Sequence, residues 1–408
     1  MRVLIAGAGI AGLTTALSLH AAGIDAQVVD SAPELRPLGV GINLLPHAVR
    51  VLTELGLGAE LEAAGVATFE QAHFDRHGNF IWSEPRGRAL GFPWPQYSIH
   101  RGELQMILLA AVRDRLGGTA VKTGAAVTDF TERDGTVRIN LAIRRSGAVV
   151  PAEADVLIGA DGLYSAVRAT LHPGEPAPRW SGVMLWRGIA EGPPFRSGSS
   201  IAVFGSTTTA KFVAYPIARA GRGTAKINWV AEAMIGGAEP PARPDWQREG
   251  GLAQALPRFA DWKFGWLDVP GLMIASPQIL EYPMVDRDPL PSWGRGRVTL
   301  AGDAAHPMYP VGSNGGSQAI LDAPVLARCL SRAGTVEQGL AAYEAERLGP
   351  VNEIVLANRD LPADRVIDMV AARAPGGFER IEDVLSAAEL AALRDAYRAT
   401  SQQDLTVR

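Results

Sequence analysis

The alternation of apolar and polar positions at the start of the chain predicts a βαβ unit. Residues 2–6 are typical of a short buried strand, residues 10–22 of a helix, and residues 25–30 of a second strand after a stop at Gly23. Residues 3–24 are apolar enough to resemble a signal peptide or a membrane span, but their glycines would weaken a spanning helix and no clear cleavage site follows. We therefore expect this segment to be buried inside a folded domain.

The rest of the chain switches between helical and strand patterns. Periodicity predicts helices at about 46–57 and 102–116, and then strands over 117–158 with a turn at 134–135. Between about 175 and 290, apolar runs punctuated by proline and glycine predict an antiparallel sheet. A strand at 297–300, a long helix at 317–332 and a helical segment at 336–400 complete the pattern. This order predicts an α/β chain with a sheet-rich layer inserted into it.

Composition narrows the classes of function. The chain has 408 residues, of which 47% are hydrophobic and 20% charged, which fits two joined globular domains. A net charge of -4 and a pI near 6.0 provide no attraction for nucleic acid or anionic lipid. The single cysteine, Cys329, excludes an internal disulfide framework, and no metal-ligand cluster stands out. We expect no nucleic-acid partner, no membrane and no metal, but a small-molecule partner in the reducing cytoplasm.

A glycine motif lies between the first strand and the first helix. Gly7 permits a tight turn, Gly9 lets the backbone approach a pyrophosphate at the helix N-terminus, and Gly12 allows the helix to pack closely on the strand. Asp30, at the end of the second strand, is placed to accept a hydrogen bond from an adenosine ribose. The motif predicts a dinucleotide site and does not distinguish FAD from NAD.

Two later motifs make that distinction. Residues 159–162 (Gly-Ala-Asp-Gly), with Ser165 and Arg168, follow one predicted strand, and residues 302–307 (Gly-Asp-Ala-Ala-His-Pro) follow another and lead to Asn-Gly-Gly at 314–316. With the glycine motif, and in this order, they resemble the class A flavoprotein monooxygenases, the fold group of para-hydroxybenzoate hydroxylase. Within that family, the segments at 36–43, 97–109 and 282–291 are most similar to members that hydroxylate a phenazine carboxylate.

The resemblance implies a fold and a division into domains. It implies a Rossmann-like FAD-binding domain of the para-hydroxybenzoate hydroxylase type, an inserted mixed or antiparallel β-sheet substrate domain, and C-terminal helices. We place the FAD-binding domain at 1–174, with some strands in the substrate layer, and the substrate domain at 175–290. Residues 291–365 return to the FAD-binding domain, and 366–408 form a C-terminal helical segment. The chain is expected to be a monomer or a homodimer.

The motifs and the resemblance together supply candidate FAD-binding residues. Asp303 at a strand end can accept hydrogen bonds from the flavin ribitol, and the glycines before the helix at 317–332 leave N–H groups free to stabilise a reduced flavin. The resemblance implies that Arg101 reaches a phosphate or ribose of FAD. The alternatives are a helix cap for Asp303, a surface ion pair for Arg101 and a simple turn at 161–162. The full candidate set is Gly7, Gly9, Ile10, Ala11, Gly12, Asp30, Ser31, Val40, Gly41, Arg101, Val127, Asp161, Gly302, Asp303, Pro310, Gly312, Asn314, Gly315 and Gly316.

The resemblance also implies a reaction. NADH or NADPH, bound transiently, would reduce FAD, and dioxygen would then give a C4a-hydroperoxyflavin that hydroxylates an aromatic or conjugated small molecule of secondary metabolism. The chemistry is centred on the flavin, so no catalytic side chain is assigned. His47 is expected to serve as a polar residue at a helix start and His306 to pack beneath the flavin loop. The residues expected to line the substrate pocket are Trp186, Tyr215, Trp229, Met308 and Tyr309.

Two alternatives to oxygen insertion stay open from the sequence. A flavin-dependent reductase or dehydrogenase would use the same cofactor to reduce a conjugated natural-product intermediate. A flavin-binding protein without catalysis would act as a carrier or an interaction module, although the intact motifs argue against it. Oxygen in the product distinguishes the first alternative, and turnover distinguishes the second.

Overall fold

The computed structural model describes residues 1–221, 223–237, 239–240, 248–360 and 364–401. Residues 222, 238 and 241–247 of the predicted substrate domain, residues 361–363, and residues 402–408 of the predicted C-terminal segment lie outside this description. The described chain is a mixed α/β structure with a Rossmann-like first domain, further sheets and C-terminal helices. The fold class predicted from the sequence is confirmed.

The secondary structure follows the predicted order of strands and helices. The strands are β1 (Arg2–Ala6), β2 (Asp25–Asp30), β3 (Gly41–Leu44), β4 (Val66–Thr68), β5 (Glu70–Phe74), β6 (Phe80–Pro85), β7 (Gln96–His100), β8 (Val121–Thr123), β9 (Ala125–Arg133), β10 (Thr136–Ile143), β11 (Val149–Ala154), β12 (Val156–Gly159), β13 (Arg179–Gly192), β14 (Ser200–Gly205), β15 (Ala210–Ala220), β16 (Thr224–Met234), β17 (Lys263–Phe264), β18 (Leu267–Asp268), β19 (Ile279–Asp286) and β20 (Val298–Leu300). The α-helices are α1 (Ile10–Ala21), α2 (Pro46–Glu54), α3 (Gly58–Ala64), α4 (Arg101–Leu116), α5 (Ala166–Leu171), α6 (Leu252–Ala255), α7 (Val269–Ile274), α8 (Asn314–Arg332), α9 (Val336–Arg359), α10 (Arg365–Arg373) and α11 (Ala387–Ser401). Short 3-10 turns lie at Gly87–Leu90, Leu256–Arg258, Gly302–Ala304 and Ile381–Asp383.

A parallel sheet forms the centre of the first domain. Its strand order is β20-β12-β1-β2-β8, and every neighbouring pair is parallel. Helices α1, α4 and α8 pack together beside it, and the inner strands β1 and β12 are buried and almost entirely apolar, as is typical of parallel sheets. Ile5 on β1 and Leu13 on α1 are fully buried, and each such side chain contributes about 1.5–3 kcal/mol of hydrophobic stabilisation.

A larger mixed sheet forms the second layer. Its order is β19-β13-β16-β15-β14-β5-β6, with one parallel pair, β14 and β5, and antiparallel pairs elsewhere. One face carries an aromatic core that includes Phe204, Phe212 and Trp229. The opposite face carries a second core with Val203 and Ile217. Because strand side chains alternate between faces, this sheet separates an aromatic core from a second apolar surface.

A small sheet and a C-terminal helix enclose that second surface. Strands β3, β7 and β4 form an antiparallel sheet between the two layers. Helix α10 packs its buried residues Val366 and Ile367 into the second core, and Asp368 accepts hydrogen bonds from Ser206 Oγ and Thr207 N, both at 2.8 Å. No helix in the part of the chain that the structure describes combines the length and apolar character needed to cross a bilayer.

Candidate functional site

The glycine motif forms a closely packed turn before α1. Gly7 has a φ of 104°, and a Cβ atom there would lie 2.3 Å from the carbonyl oxygen of Ala160. A Cβ at Gly12 would lie 1.9 Å from the carbonyl oxygen of Gly7. No side chain of the described residues caps α1, which begins after Gly9, so its first N–H groups are available to an anion. Ile10 and Ala11 contribute two of these N–H groups.

Asp30 lies beside this turn, as the spacing predicts. Its Oδ2 accepts a hydrogen bond from the Ala8 N–H at 2.7 Å, and its Oδ1 accepts one from the Ala32 N–H at 2.7 Å. These bonds orient the half-buried carboxylate beside the N-terminus of α1, and Ser31 next to it is exposed. A carboxylate oxygen can accept a further hydrogen bond, so this position can hold a ribose hydroxyl.

Asp161, from the second motif, caps a helix. Its carboxylate accepts hydrogen bonds from Ser165 Oγ and from the Ala166 N–H at 2.8 Å, at the start of α5. Burial raises the pKa of Asp161, and the hydrogen bonds of Ser165 and the helix N–H groups oppose that rise. The local role of this acid is therefore to fix the turn that packs against Gly7.

Arg168 joins the second motif to the third. This buried side chain donates from Nη1 to the carbonyl oxygens of Ala304 at 3.0 Å and Ala305 at 2.9 Å. Its Nε donates to Glu175 at 2.8 Å, so the charge is paired as well as hydrogen-bonded. Arg168 thus holds in place the loop that carries Asp303.

The third motif is supported from below by a buried ionic network. Asp322 accepts from the Gly302 N–H at 2.9 Å and lies 2.7 Å from His306 Nε2, while Arg347 Nε donates to its other oxygen at 3.0 Å. Burial alone would raise the pKa of Asp322, but His306 and Arg347 outweigh it and lower the pKa. His306 therefore packs beneath the loop, as predicted, and Asp303 above it is exposed with no hydrogen bond from its carboxylate to the described residues.

The loop after this motif leads into α8. Gly312 has a φ of 67° and Ser313 a φ of 64°, which is a left-handed conformation that a serine seldom adopts. Helix α8 then starts at Asn314 without a side-chain cap from the part of the chain described, followed by Gly315 and Gly316. Its N-terminal N–H groups are therefore free to stabilise negative charge in front of the helix.

Residues 39–43, which comprise a turn at Gly39 and the start of β3 and are called the loop at 39–43 below, lie against the large sheet. The Gly41 N–H donates to Asn228 Oδ1 at 2.7 Å, and the Gly41 carbonyl accepts from Arg187 Nη2 at 2.6 Å and Tyr215 Oη at 2.9 Å. The adjacent Val40 carbonyl accepts from the Arg101 N–H at 2.8 Å. The Arg101 side chain is exposed and forms no ion pair with any described residue, so the alternative of a surface ion pair is not observed.

A cavity of about 110 Å³ lies between these loops and the large sheet. Residues 310–313 and Asn43 close it on the loop side, and Tyr215 lies on the sheet side. Its apolar wall consists of Leu185, Ile201, Val203, Val213 and Val230. Polar and charged side chains form much of the rest of its lining, and a concave site that combines an apolar wall with such groups can serve as a small-molecule pocket.

The predicted pocket residues are distributed over several locations. Tyr215 lines the cavity. Trp186 and Trp229 are fully buried in the aromatic core on the opposite face of the sheet, so they do not line this cavity. Met308 and Tyr309 directly precede the loop at 310–313 and pack into two different apolar cores.

Val127, predicted to contact the cofactor, is a buried residue of β9 in the core of the first domain.

Several cavity residues that the sequence analysis did not select are charged. Arg187, Lys211 and Glu232 share the sheet face of Tyr215, and Asp364 precedes α10. Lys211 Nζ lies 3.0 Å from Glu232 and 2.8 Å from Asp364, and burial alone would lower its pKa, but these two carboxylates raise it. The signal in the sequence was one charged residue on the cavity face of each strand, such as Lys211, which lies in the same alternation as Val213 and Tyr215.

His47 is buried at the first turn of α2. Neither ring nitrogen has a hydrogen-bond partner among the described residues. Burial, and then the positive charges of Arg347 and Arg50, lower the pKa of His47 to about 3. The imidazole is therefore neutral at physiological pH, and its side chain does not cap the helix.

Comparison with known proteins is consistent with this geometry. The FAD binding domain family model matches residues 1–358. The chain is 50% identical to phenazine 1,6-dicarboxylic acid hydroxylase of Lysobacter antibioticus, over 97% of this chain and 96% of that enzyme. It is 33% identical to 3-hydroxybenzoate 6-hydroxylase 1 of Aquipseudomonas alcaligenes, over 85% of this chain and 84% of that enzyme.

Solved structures share the fold. The Klebsiella pneumoniae protein HpxO, complexed with FAD and uric acid, matches with a TM-score of 0.74 at 24% identity. The match covers 99% of this chain and 94% of that chain. The fold of this chain therefore also occurs in a protein whose structure was solved with FAD.

Proposed function

Because the chain belongs to the FAD binding domain family of class A flavoprotein monooxygenases, we propose that it hydroxylates a fused-ring aromatic compound of the phenazine type. The cofactor is FAD, and the reductant is NADH or NADPH. FAD held here would supply acceptance of a hydride from the nicotinamide and activation of dioxygen, the chemistry by which one oxygen atom would enter the aromatic ring and the other would leave as water. The observation that carries the proposal is the cavity between the loop at 310–313 and the large sheet.

The residues fit FAD in a definite orientation. The uncapped N-terminus of α1 at Gly9 would hold the pyrophosphate, and Asp30 would hold the adenosine ribose. The unpartnered carboxylate of Asp303 suits the ribitol hydroxyls, and the unpaired Arg101 suits a phosphate. Gly7 and Gly12 support this fit because a side chain at either position would strike the backbone of the turn.

The protein contributes electrostatics and dryness to the reaction. The free N–H groups at the start of α8, near Gly315 and Gly316, would stabilise negative charge on a reduced flavin in front of them. The apolar wall of the cavity excludes water, which favours oxygen transfer to the substrate over release of hydrogen peroxide. The hydrogen bonds to Gly41 fix the loop at 39–43 against the sheet in this state, so any movement of that loop must break them.

Similarity to a known enzyme and the lining of the cavity support the phenazine class. The relative with 50% identity is a phenazine 1,6-dicarboxylic acid hydroxylase and matches nearly the whole chain. Residues 36–43 and 282–291 also resemble 5-methylphenazine-1-carboxylate 1-monooxygenases. The cavity offers branched aliphatic side chains on one side, Leu185 and Val230 among them, which suit the faces of a flat polycyclic ring.

The test is steady-state turnover of the purified FAD-loaded enzyme. NADH or NADPH oxidation and hydrogen peroxide are measured with and without phenazine carboxylates, simple phenols and conjugated polyketides. The proposal expects a phenazine carboxylate to accelerate oxidation most, with little peroxide and a hydroxylated product. A product that is reduced but carries no added oxygen would replace the proposal with the reductase alternative.

A further inference from the structure

Arg187 places a positive charge in the cavity wall without an anionic partner. Its Nη1 donates to Tyr282 Oη at 2.9 Å and its Nη2 to the Gly41 carbonyl at 2.6 Å. Its Nε has no hydrogen-bond partner among the described residues, and no carboxylate of that set lies within ion-pair distance of the guanidinium. These partners, and the nearby Tyr215 hydroxyl, are neutral oxygens, and a guanidinium stays charged at every physiological pH.

Such a charge is expensive to keep in a poorly hydrated place. A buried cation is tolerated when it is paired or fully hydrogen-bonded, and Arg187 uses two of its five N–H groups on the bonds described above. Three other buried cations show the usual arrangement, since Arg168 pairs with Glu175, Arg347 with Asp322 and Lys211 with two carboxylates. Arg187 is therefore the cavity cation whose charge remains available to a ligand.

A second charged cluster lies on the same face of the sheet, where Glu232 is two register positions from Arg187. Lys211, Glu232 and Asp364 together carry one positive and two negative formal charges, and their side chains are 6%, 12% and 6% exposed. Lys211 is already engaged by both acids, so an acidic ligand group would meet net negative charge there. An anionic substituent is thus favoured at the Arg187 guanidinium and disfavoured at the two carboxylates that hold Lys211.

We propose that Arg187 is a specificity-determining residue that binds an acidic substituent, a carboxylate, of the aromatic substrate. This rests on the proposed function, because it concerns the same cavity. The guanidinium would donate from Nε and from an Nη to the carboxylate, which orients the ring along the apolar wall and next to the loop at 310–313. The neutral partners Tyr282 and Gly41 hold the guanidinium in place before the substrate arrives.

The experiment measures binding without turnover. Phenazine-1-carboxylate and the nearly isosteric, neutral phenazine-1-carboxamide are titrated into the FAD-loaded protein without nicotinamide, and the flavin absorbance change gives the Kd of each. Wild type is expected to prefer the acid. Arg187→Met is expected to weaken acid binding by roughly 10- to 100-fold and amide binding by less than about threefold, because only the acid loses a charge-assisted hydrogen bond.

Three control variants separate recognition from structure. Arg187→Lys keeps the charge without the planar fork, so it is expected to retain a reduced preference for the acid. Tyr215→Phe removes the other side-chain donor to the Gly41 carbonyl, so a loss caused only by loop displacement would appear there for both ligands. Arg328→Met removes an exposed arginine on α8 and is expected to change neither Kd. Flavin content and circular dichroism verify folding.

The outcomes also distinguish this inference from the proposed function. Absence of an acid preference in wild type, or equal losses for acid and amide in Arg187→Met, overturns the assignment of Arg187, whatever the turnover assays show. An acid preference that depends on Arg187 supports the assignment even where no oxygen enters the product. In that case the proposed function fails on its own.

Discussion

Replacement of Lys211 by methionine should destabilise the protein in a pH-dependent way. The change removes the cation that lies 2.8 Å from Asp364 and 3.0 Å from Glu232 and leaves both carboxylates buried. At an effective dielectric constant of about 20, each lost attraction is worth roughly 4 kcal/mol. Part of this loss is offset because the variant no longer has to desolvate an ammonium group. The net loss expected for removing one partner of a buried pair is about 3–5 kcal/mol near pH 8.

The sign of the pH dependence follows from the pKa of Glu232. Burial already raises that pKa, with Lys211 opposing the rise, so the variant should raise it further. A carboxyl group whose pKa is raised in the folded state binds its proton more tightly in the folded than in the unfolded protein. Protonation of that group therefore favours the folded state at low pH, and this contribution to stability is lost as the pH rises through the folded pKa. The loss of unfolding free energy caused by Lys211→Met, called the deficit below, should therefore be smaller at pH 6 than at pH 8.5. Adding Glu232→Gln to the same chain should recover part of that loss.

Urea unfolding of the FAD-loaded protein at both pH values measures the deficit. The FAD dissociation constant of each variant is determined so that its contribution to stability can be subtracted. The matched control is Arg328→Met, which breaks an ion pair whose side chains are 41% and 45% exposed and should cost under about 1 kcal/mol. A Lys211→Met deficit no larger than this control, or one that is the same at both pH values, would refute the reasoning.

Three further predictions concern the cofactor site and the buried histidine. Gly12→Ala should lower FAD affinity by 100-fold or more, because its Cβ would lie 1.9 Å from the Gly7 carbonyl oxygen. Flavin retention on dilution measures this loss. The control Gly118→Ala places its Cβ in open space and should retain FAD. Arg168→Met should cost about 2–4 kcal/mol in urea unfolding and weaken FAD binding, because it leaves the Ala304 and Ala305 carbonyls without their donor and leaves Glu175 paired with Arg287 alone. The pKa of His47 is about 3 in the folded protein, below the usual 6.5, so on acidification the unfolded chain is protonated first. The free energy of unfolding should therefore fall by about 1.4 kcal/mol per pH unit below pH 6.5. His47→Asn should remove this contribution to the pH dependence, and an unchanged pH dependence would contradict the prediction.

The dinucleotide turn was predictable because its chemistry is local. Gly7, Gly12 and Asp30 stand within one βαβ unit, and their roles depend on backbone geometry that adjacent residues determine. The clamp formed by Arg168 was only partly predictable. The residue belonged to a recognised motif, but its bonds to the carbonyls of Ala304 and Ala305 depend on how distant segments pack.

The cavity wall could not be predicted to the same depth. On β13, Trp186 and Arg187 are neighbours that point to opposite faces, so the choice between core and cavity depends on a single step in register. The large aromatic side chain suggested a pocket wall, whereas the structure places it in the core behind the sheet. Asp364 lies in the segment before α10, and no local sequence pattern predicts its ion pair with Lys211.

The strand order of the large sheet could not be predicted from the sequence either. Strands β5 and β6, at residues 70–85, extend this sheet through the parallel pairing of β5 with β14. Their apolar pattern indicates strands but not which strand they join, because partner choice depends on the path of the chain between them. The division into an FAD-binding and a substrate domain therefore remains a proposal, because strands from the first segment of the chain join the large sheet.

The most direct test of the account is isotope incorporation from dioxygen. The FAD-loaded enzyme, a nicotinamide and a phenazine carboxylate are incubated under ¹⁸O₂, and the product is analysed by mass spectrometry. The account predicts one ¹⁸O atom in each product molecule, a hydroxyl group on the ring and consumption of one nicotinamide. A product without ¹⁸O, or nicotinamide oxidation recovered entirely as hydrogen peroxide, would contradict it.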